Sequence, residues 1–213
     1  MALSFIDSYF QQIPEGKIPV IGISGASGSG KTFLAESIAK AITDVTIVHE
    51  DNYYHELAGI KLSDSGNKNY DHPDSFDHTL LYEHIIALSK NESISQPVYN
   101  YQTHSRTKDY RVMNPGRLLI VEGILIYCDD KISQAIDIKI YMDTAPDICL
   151  LRRIQRDSKV RGRSMNQVID QYLDTVRPMW LEFILPTKKQ CPVVIQSQDE
   201  INSLISKLME YQS

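Results

Sequence analysis

Gly25-Ala26-Ser27-Gly28-Ser29-Gly30-Lys31-Thr32 is the stretch from which the fold of this chain can be read. It has the form Gly-x-x-x-x-Gly-Lys-Thr. The run before it, Pro19 to Ser24, is apolar and β-branched, and the segment after it, Thr32 to Ile42, has helical periodicity. Strand, glycine-rich turn and helix in that order form the context that makes the pattern a phosphate cradle. Backbone N–H groups from Gly25, Ala26, Ser27, Gly28, Ser29 and Gly30 would face the phosphates, and the helix N-terminus adds partial positive charge. Lys31 would reach the β- and γ-phosphates, and the Thr32 hydroxyl would bind Mg²⁺.

Outward from the loop, four more short apolar runs follow the first: Val45 to His49, Leu118 to Glu122, Ile136 to Met142 and Pro192 to Gln196. Uninterrupted runs of this length suit strands buried on both faces of a parallel sheet. Helix-period segments alternate with them, at Thr32 to Ile42, His78 to Ser89, Asp147 to Asp157, Met165 to Val176 and Asp199 to Tyr211. The expected fold is therefore α/β, of the P-loop NTPase kind, with a five-stranded parallel sheet flanked by helices. Residues 96–112, rich in Tyr, Thr and Val but carrying several basic groups, read as a β-hairpin projecting from it. Residues 1–17 read as an N-terminal helix or arm, and 18–213 as the single domain.

With 213 residues, one core is enough. A net charge of −5 argues against a surface that grips nucleic acid as a whole, so any anion site must be local. Cys128, Cys149 and Cys191 are widely spaced and form no Cys-x-x-Cys pair, which suits a reducing cytoplasm better than a disulfide framework. No window approaches the length of a membrane span and the N-terminus lacks a basic leader, so a soluble, unprocessed protein is expected.

Ligands of such sheets sit beyond the carboxyl ends of the strands, where two acids stand: Asp51 after the second run and Glu122 at the end of the third. Transfer of a phosphoryl group to a hydroxyl needs a proton acceptor and a metal ligand. We assign Asp51 the first role and Glu122 the second; the sequence also permits the reverse, with Asp51 on the metal. The segment Arg152 to Arg163 holds six basic residues against one acid inside an acidic chain. Such a run can be a solvated helix face or a nucleic-acid patch; beside a phosphate loop, its arginines would stabilise charge on a transferring phosphoryl group, with Gly162 giving a mobile lid over about 152–165.

Taken together, these motifs resemble the uridine kinase (uridine-cytidine kinase) family, within the larger group that includes phosphoribulokinases. The resemblance is carried by Ile23 to Thr32, Asp51-Asn-Tyr-Tyr54, Asn69-Tyr-Asp-His-Pro-Asp-Ser-Phe-Asp77, Pro97 to Tyr101 with His104-Ser-Arg106, Val121-Glu-Gly-Ile124, Arg152 to Asp157, Arg161-Gly-Arg163 and Leu185 to Lys189. It implies transfer from ATP or GTP, with Mg²⁺, to the 5'-hydroxyl of uridine or cytidine, in pyrimidine salvage and by a homotetramer. It further implies that Asp51 activates that hydroxyl with Lys31 and Arg156 as catalytic partners, and that Asp71 and Arg153 hold the ribose diol. Tyr54 and Tyr70 would line the nucleoside site beneath the hairpin. Tyr99 and His104 would bond the pyrimidine edge, Arg163 and Gln171 would complete the pocket, and Arg156 and Arg161 would meet the triphosphate.

Three positions depart from the family pattern: Asn100 in place of a common Asp, Phe33 where a small hydroxyl residue usually follows the loop Thr, and His55 in place of a basic residue. None removes a catalytic group. A guanine-reading Asn-Lys-x-Asp is absent, since Asn67-Lys68-Asn69-Tyr70 ends in Tyr, and the His104-Ser105-Arg106 element argues against phosphoribulokinase or pantothenate kinase activity. His49, His55, His72, His78 and His84 read as structural.

Overall fold

The structure, a computed structural model, describes residues 6–56, 59–100 and 105–210. Five parallel strands form one sheet, β1 (Val20–Gly25), β2 (Val45–His49), β5 (Leu118–Glu122), β6 (Ile138–Met142) and β7 (Val193–Ile195), in the order β2-β5-β1-β6-β7. Register pairs Val20 with Leu119, Ile21 with Ile138, Val45 with Leu118 and Ile140 with Val193. The period-2 geometry of the strands divides each apolar run between two cores. Val20, Leu119 and Val121 face α3 (His78–Ser89) and the hairpin, whereas Ile21, Ile23, Ile120 and Ile140 face α2 (Lys31–Ala41) and α9 (Gln198–Glu210).

The hairpin, β3 (Ile94–Asn100) and β4 (Ser105–Met113), is a separate antiparallel pair with a register shift between Pro97 and Tyr99. Helix α1 (Ile6–Gln11) docks on the domain: Ile6 is buried in the second core and Asp7 pairs with Lys207 at 2.8 Å. Helix α4 (Asp130–Ala135) had no counterpart in the periodicity; its N-terminus is capped by Asp129, which accepts from the Ile132 N–H at 2.9 Å.

Helix α5 (Pro146–Val160) is longer than its sequence pattern and takes up most of the stretch expected as a lid. Cys149, Arg153 and Asp157 fall at helical spacing on its buried face, so this arginine segment is helix first and turn only from Arg161 to Ser164. After α6 (Met165–Gln171), whose Ser164 and Gln167 form a capping box, the helix runs on through two π turns, Tyr172–Val176 and Trp180–Ile184. The intervening pieces are α7 (Arg177–Met179) and α8 (Leu185–Thr187), so a wide turn leads into each of Pro178 and Pro186. The wide turns shift the carbonyls that an α ladder would direct at the missing proline N–H, letting the helix pass both residues. No helix among the described residues is long and apolar enough to cross a membrane.

Candidate active site

β1 is the middle strand, with β5 on one side and β6 on the other, so the crevice beyond its carboxyl end is flanked by loops from both. The phosphate loop lies there. Lys31 is buried and its ammonium donates to the carbonyls of Gly25 (3.2 Å) and Ala26 (3.1 Å), folded over the anion nest of the loop. Gly28 has φ +88°, and a Cβ added there would lie 2.5 Å from the Cys149 carbonyl oxygen, so the loop rests directly on the backbone of α5. The Thr144 hydroxyl and a guanidinium nitrogen of Arg153 add bonds from the same side, to the Ser29 carbonyl (2.8 Å) and the Ser27 hydroxyl (2.9 Å).

The two strand-end acids flank this loop. Glu122 accepts from the Thr32 hydroxyl at 3.0 Å and sits 2.7 Å from Nδ1 of His49, its register partner on β2. Burial alone would raise the Glu122 pKa; the His49 bond and the Lys31 charge outweigh that and hold it below its ordinary value. The bond to Glu122 in turn raises that of His49. Asp51 follows in the short 3₁₀ turn Glu50–Tyr53. Its neighbour Glu50 is fully buried, with one carboxylate oxygen 2.9 Å from Nε2 of His78 and the other accepting the Leu125 N–H at 2.9 Å. A Cβ on Gly123 would come within 2.2 Å of that carboxylate. Glu50 therefore ties the Asp51 turn, the loop after Glu122 and the start of α3 to one another.

A cavity of about 340 Å³ collects these groups. It is lined by the loop residues Ser27, Gly28, Gly30, Lys31 and Thr32, by Asp51 and Glu122, and by Tyr54, Tyr70, Asp71 and Tyr99. Arg153, Arg156, Arg161, Arg163 and Gln171 close it, together with Arg152. Every residue given a catalytic, binding or metal role from the sequence thus meets in one place, apart from Gly25, Ala26 and Ser29, which contribute loop backbone beside it, and His104, which lies outside the described residues. Tyr54 packs edge-on to Tyr70 (5.8 Å between centroids) and at a tilt to Tyr99 (5.0 Å), giving an aromatic wall. Burial pushes the Asp71 carboxyl up, against the pull of Arg153.

Arginine density is organised by a residue that the sequence reading passed over. Asp157 is fully buried; it accepts from Arg156 Nε at 2.8 Å and has Arg161, Arg153 and Arg163 at 3.5, 3.7 and 4.0 Å. Burial works to raise its pKa, but Arg156, Arg161 and Arg153 prevail and depress it. Gln171 accepts from both Arg153 (2.9 Å) and Arg163. Arg106, quoted with His104, turns instead to the Tyr53 carbonyl (2.9 Å) and the Asp77 carboxylate (3.3 Å), fixing the hairpin to the α3 N-cap. His49 and His78 were equally missed, since pairings across 73 and 28 residues leave no local signature.

Among the described residues no three His, Cys, Asp or Glu side chains converge as a metal cluster. A hydroxyl and a carboxylate oxygen 3.0 Å apart at the edge of a phosphate loop, with Asp51 lining the same cavity, suit Mg²⁺, which takes few protein oxygens and completes its shell with water and phosphate.

The sequence model of the "Phosphoribulokinase / Uridine kinase family" matches residues 20–202. A uridine kinase from Oceanobacillus iheyensis is 43% identical over 195 residues, covering 89% of this chain and 93% of that one. A uridine kinase from Listeria monocytogenes is 44% identical over 187 residues, 85% of this chain and 88% of its own. Among solved structures, D-glycerate 3-kinase from Cryptococcus neoformans shares the fold, with a TM-score of 0.59 at 17% identity over 85% of each chain. A match across nearly the whole sheet and cavity, with two relatives alike along most of their length, settles the lineage: the chain belongs to the phosphoribulokinase / uridine kinase family.

Proposed function

We propose that the chain transfers the γ-phosphoryl group of ATP or GTP to the 5'-hydroxyl of a pyrimidine ribonucleoside, uridine or cytidine. The observation that carries this reading is that the phosphate loop, Asp51 and the buried Asp71 with Arg153 all line one cavity. Asp51 accepts the proton of the attacking hydroxyl, and Lys31, Arg156 and Arg161 meet the charge that gathers on the phosphoryl oxygens. Asp71 and Arg153 hold the ribose diol; a deoxyribose would leave these buried groups unpaired. Tyr54 and Tyr70 line the nucleoside site, Tyr99 and His104 bond the pyrimidine edge, and Arg163 and Gln171 complete the pocket. Thr32 and Glu122, with Asp51 nearby, hold Mg²⁺. When bound, the ion neutralises charge shared between the β- and γ-phosphates. The catalytic unit is residues 18–213, at work in the cytoplasm in pyrimidine salvage and assembled as a homo-oligomer.

Turnover of the common ribo- and deoxyribonucleosides, with ATP or GTP and with or without Mg²⁺, tests the proposal. Uridine or cytidine should be the best acceptor, the 2'-deoxy compounds poorer by at least tenfold, and chelation of Mg²⁺ should stop the reaction. Equal rates on ribose and deoxyribose acceptors would remove the diol clamp, and no turnover of either pyrimidine nucleoside would remove the acceptor assignment.

A further inference from the structure

Phe33 sits in the first turn of α2, directly after Lys31 and Thr32, and is 54% exposed although its neighbours Leu34 and Ala35 are fully buried. Single exposed aromatics are common, so exposure alone says little. Its position says more. Phe33 lines a second cavity, of about 450 Å³, that meets the first at the phosphate loop, with Gly30 and Arg152 belonging to both.

A ligand whose phosphates occupy the loop has to extend its remaining part through one of these two spaces. The first holds the acids Asp51, Asp71 and Glu122, arginines, and the tyrosine wall already assigned to the acceptor nucleoside. The second has no carboxylate in its lining and offers Met142, Ile195, Ile201, the Phe33 ring and the Arg152 guanidinium. Apolar walls with an aromatic face and a guanidinium face suit a flat heterocycle, which both can stack on. We propose that Phe33 stacks on the base of the phosphoryl donor and sets this chain's affinity for it. The inference rests on the donor triphosphate occupying the loop.

Binding of ATP and of inorganic tripolyphosphate to the full chain, measured by calorimetry for wild type, Phe33→Ser and Phe33→Trp, isolates the base from the phosphates. Stacking of a base on an aromatic side chain corresponds to roughly 5- to 150-fold in affinity. Phe33→Ser should therefore weaken ATP by about tenfold, leave tripolyphosphate within about twofold, and be rescued by Phe33→Trp. ATP affinity unchanged in Phe33→Ser overturns the role, and so does an equal loss for tripolyphosphate, because Phe33 would then be shaping the loop. Uridine turnover is read separately: its absence in wild type, with base-dependent ATP binding intact, would refute the acceptor assignment and leave Phe33 in place.

Discussion

Replacing Gly28 by Ala tests how the phosphate loop is seated. Gly28 adopts φ +88°, and its Cβ would lie 2.5 Å from the Cys149 carbonyl oxygen. Two costs add. Left-handed backbone in a non-glycine residue costs about 1–2 kcal/mol, and pushing a helix carbonyl back by about 0.5 Å or more is overpacking of the kind that costs about 1–3 kcal/mol. Gly66 separates the two, because it has φ +81° with nothing within 4 Å of its added Cβ. Gly66→Ala should carry only the first cost. At about 2–4 °C per kcal/mol for a chain of this size, the expected fall in melting temperature is roughly 10 °C for Gly28→Ala and roughly 4 °C for Gly66→Ala. The assay is thermal unfolding with and without ATP; ATP should stabilise Gly66→Ala as it does wild type and Gly28→Ala much less. A Gly28→Ala protein that melts no lower than Gly66→Ala, or that gains as much from ATP, would show that the loop is not held against α5 as described.

Two further outcomes follow from the strand ends. Asp51→Asn keeps size and most hydrogen bonding while removing the proton acceptor, so kcat should drop by roughly 10² to 10⁴ with nucleoside affinity by calorimetry little changed; a kcat near wild type would transfer the base role to Glu122. His78 concerns stability. Burial would lower its pKa, but the Glu50 carboxylate at 2.9 Å raises it above the ordinary 6.5. A raised histidine stabilises the fold fully below its unfolded pKa and loses that contribution as pH climbs through the folded one. Wild type should therefore exceed His78→Asn in unfolding free energy most at about pH 6, with the gap narrowing toward pH 8 and above; a gap that widens with pH would contradict the charged pair.

The sheet was legible because its central strands β1 and β5 are buried on both faces, which leaves continuous apolar runs; the edge strand β2, in which only alternate residues are fully buried, also falls on the residues that the pattern indicates. The six-residue α4 is too short to display a period, and the helix beyond Val176 was hidden by Pro178 and Pro186, which read as breakers unless a π turn precedes them. In the cavity, residues whose chemistry is strong at short range in sequence were visible: Lys31, Asp51, the Asn69 to Asp77 block. What escaped are groups that act through partners. Asp157 looked like a lone acid diluting a basic run, and it is the charge around which that run folds. Glu50 drew no reading of its own from the sequence, and it is the buried brace beneath Asp51.

Arg153 spans the two halves of the cavity: one guanidinium nitrogen bonds Ser27 in the phosphate loop, another bonds Gln171, and Asp71 is the strongest opposite charge acting on it. A ligand entering the loop and a ligand entering beside Asp71 thus address the same side chain. Any shift that one of them imposes on the guanidinium is therefore felt at the site of the other. Reciprocity then makes the synergy symmetric: the factor by which a donor tightens an acceptor equals the factor by which the acceptor tightens the donor. The order of addition then becomes a matter of concentrations.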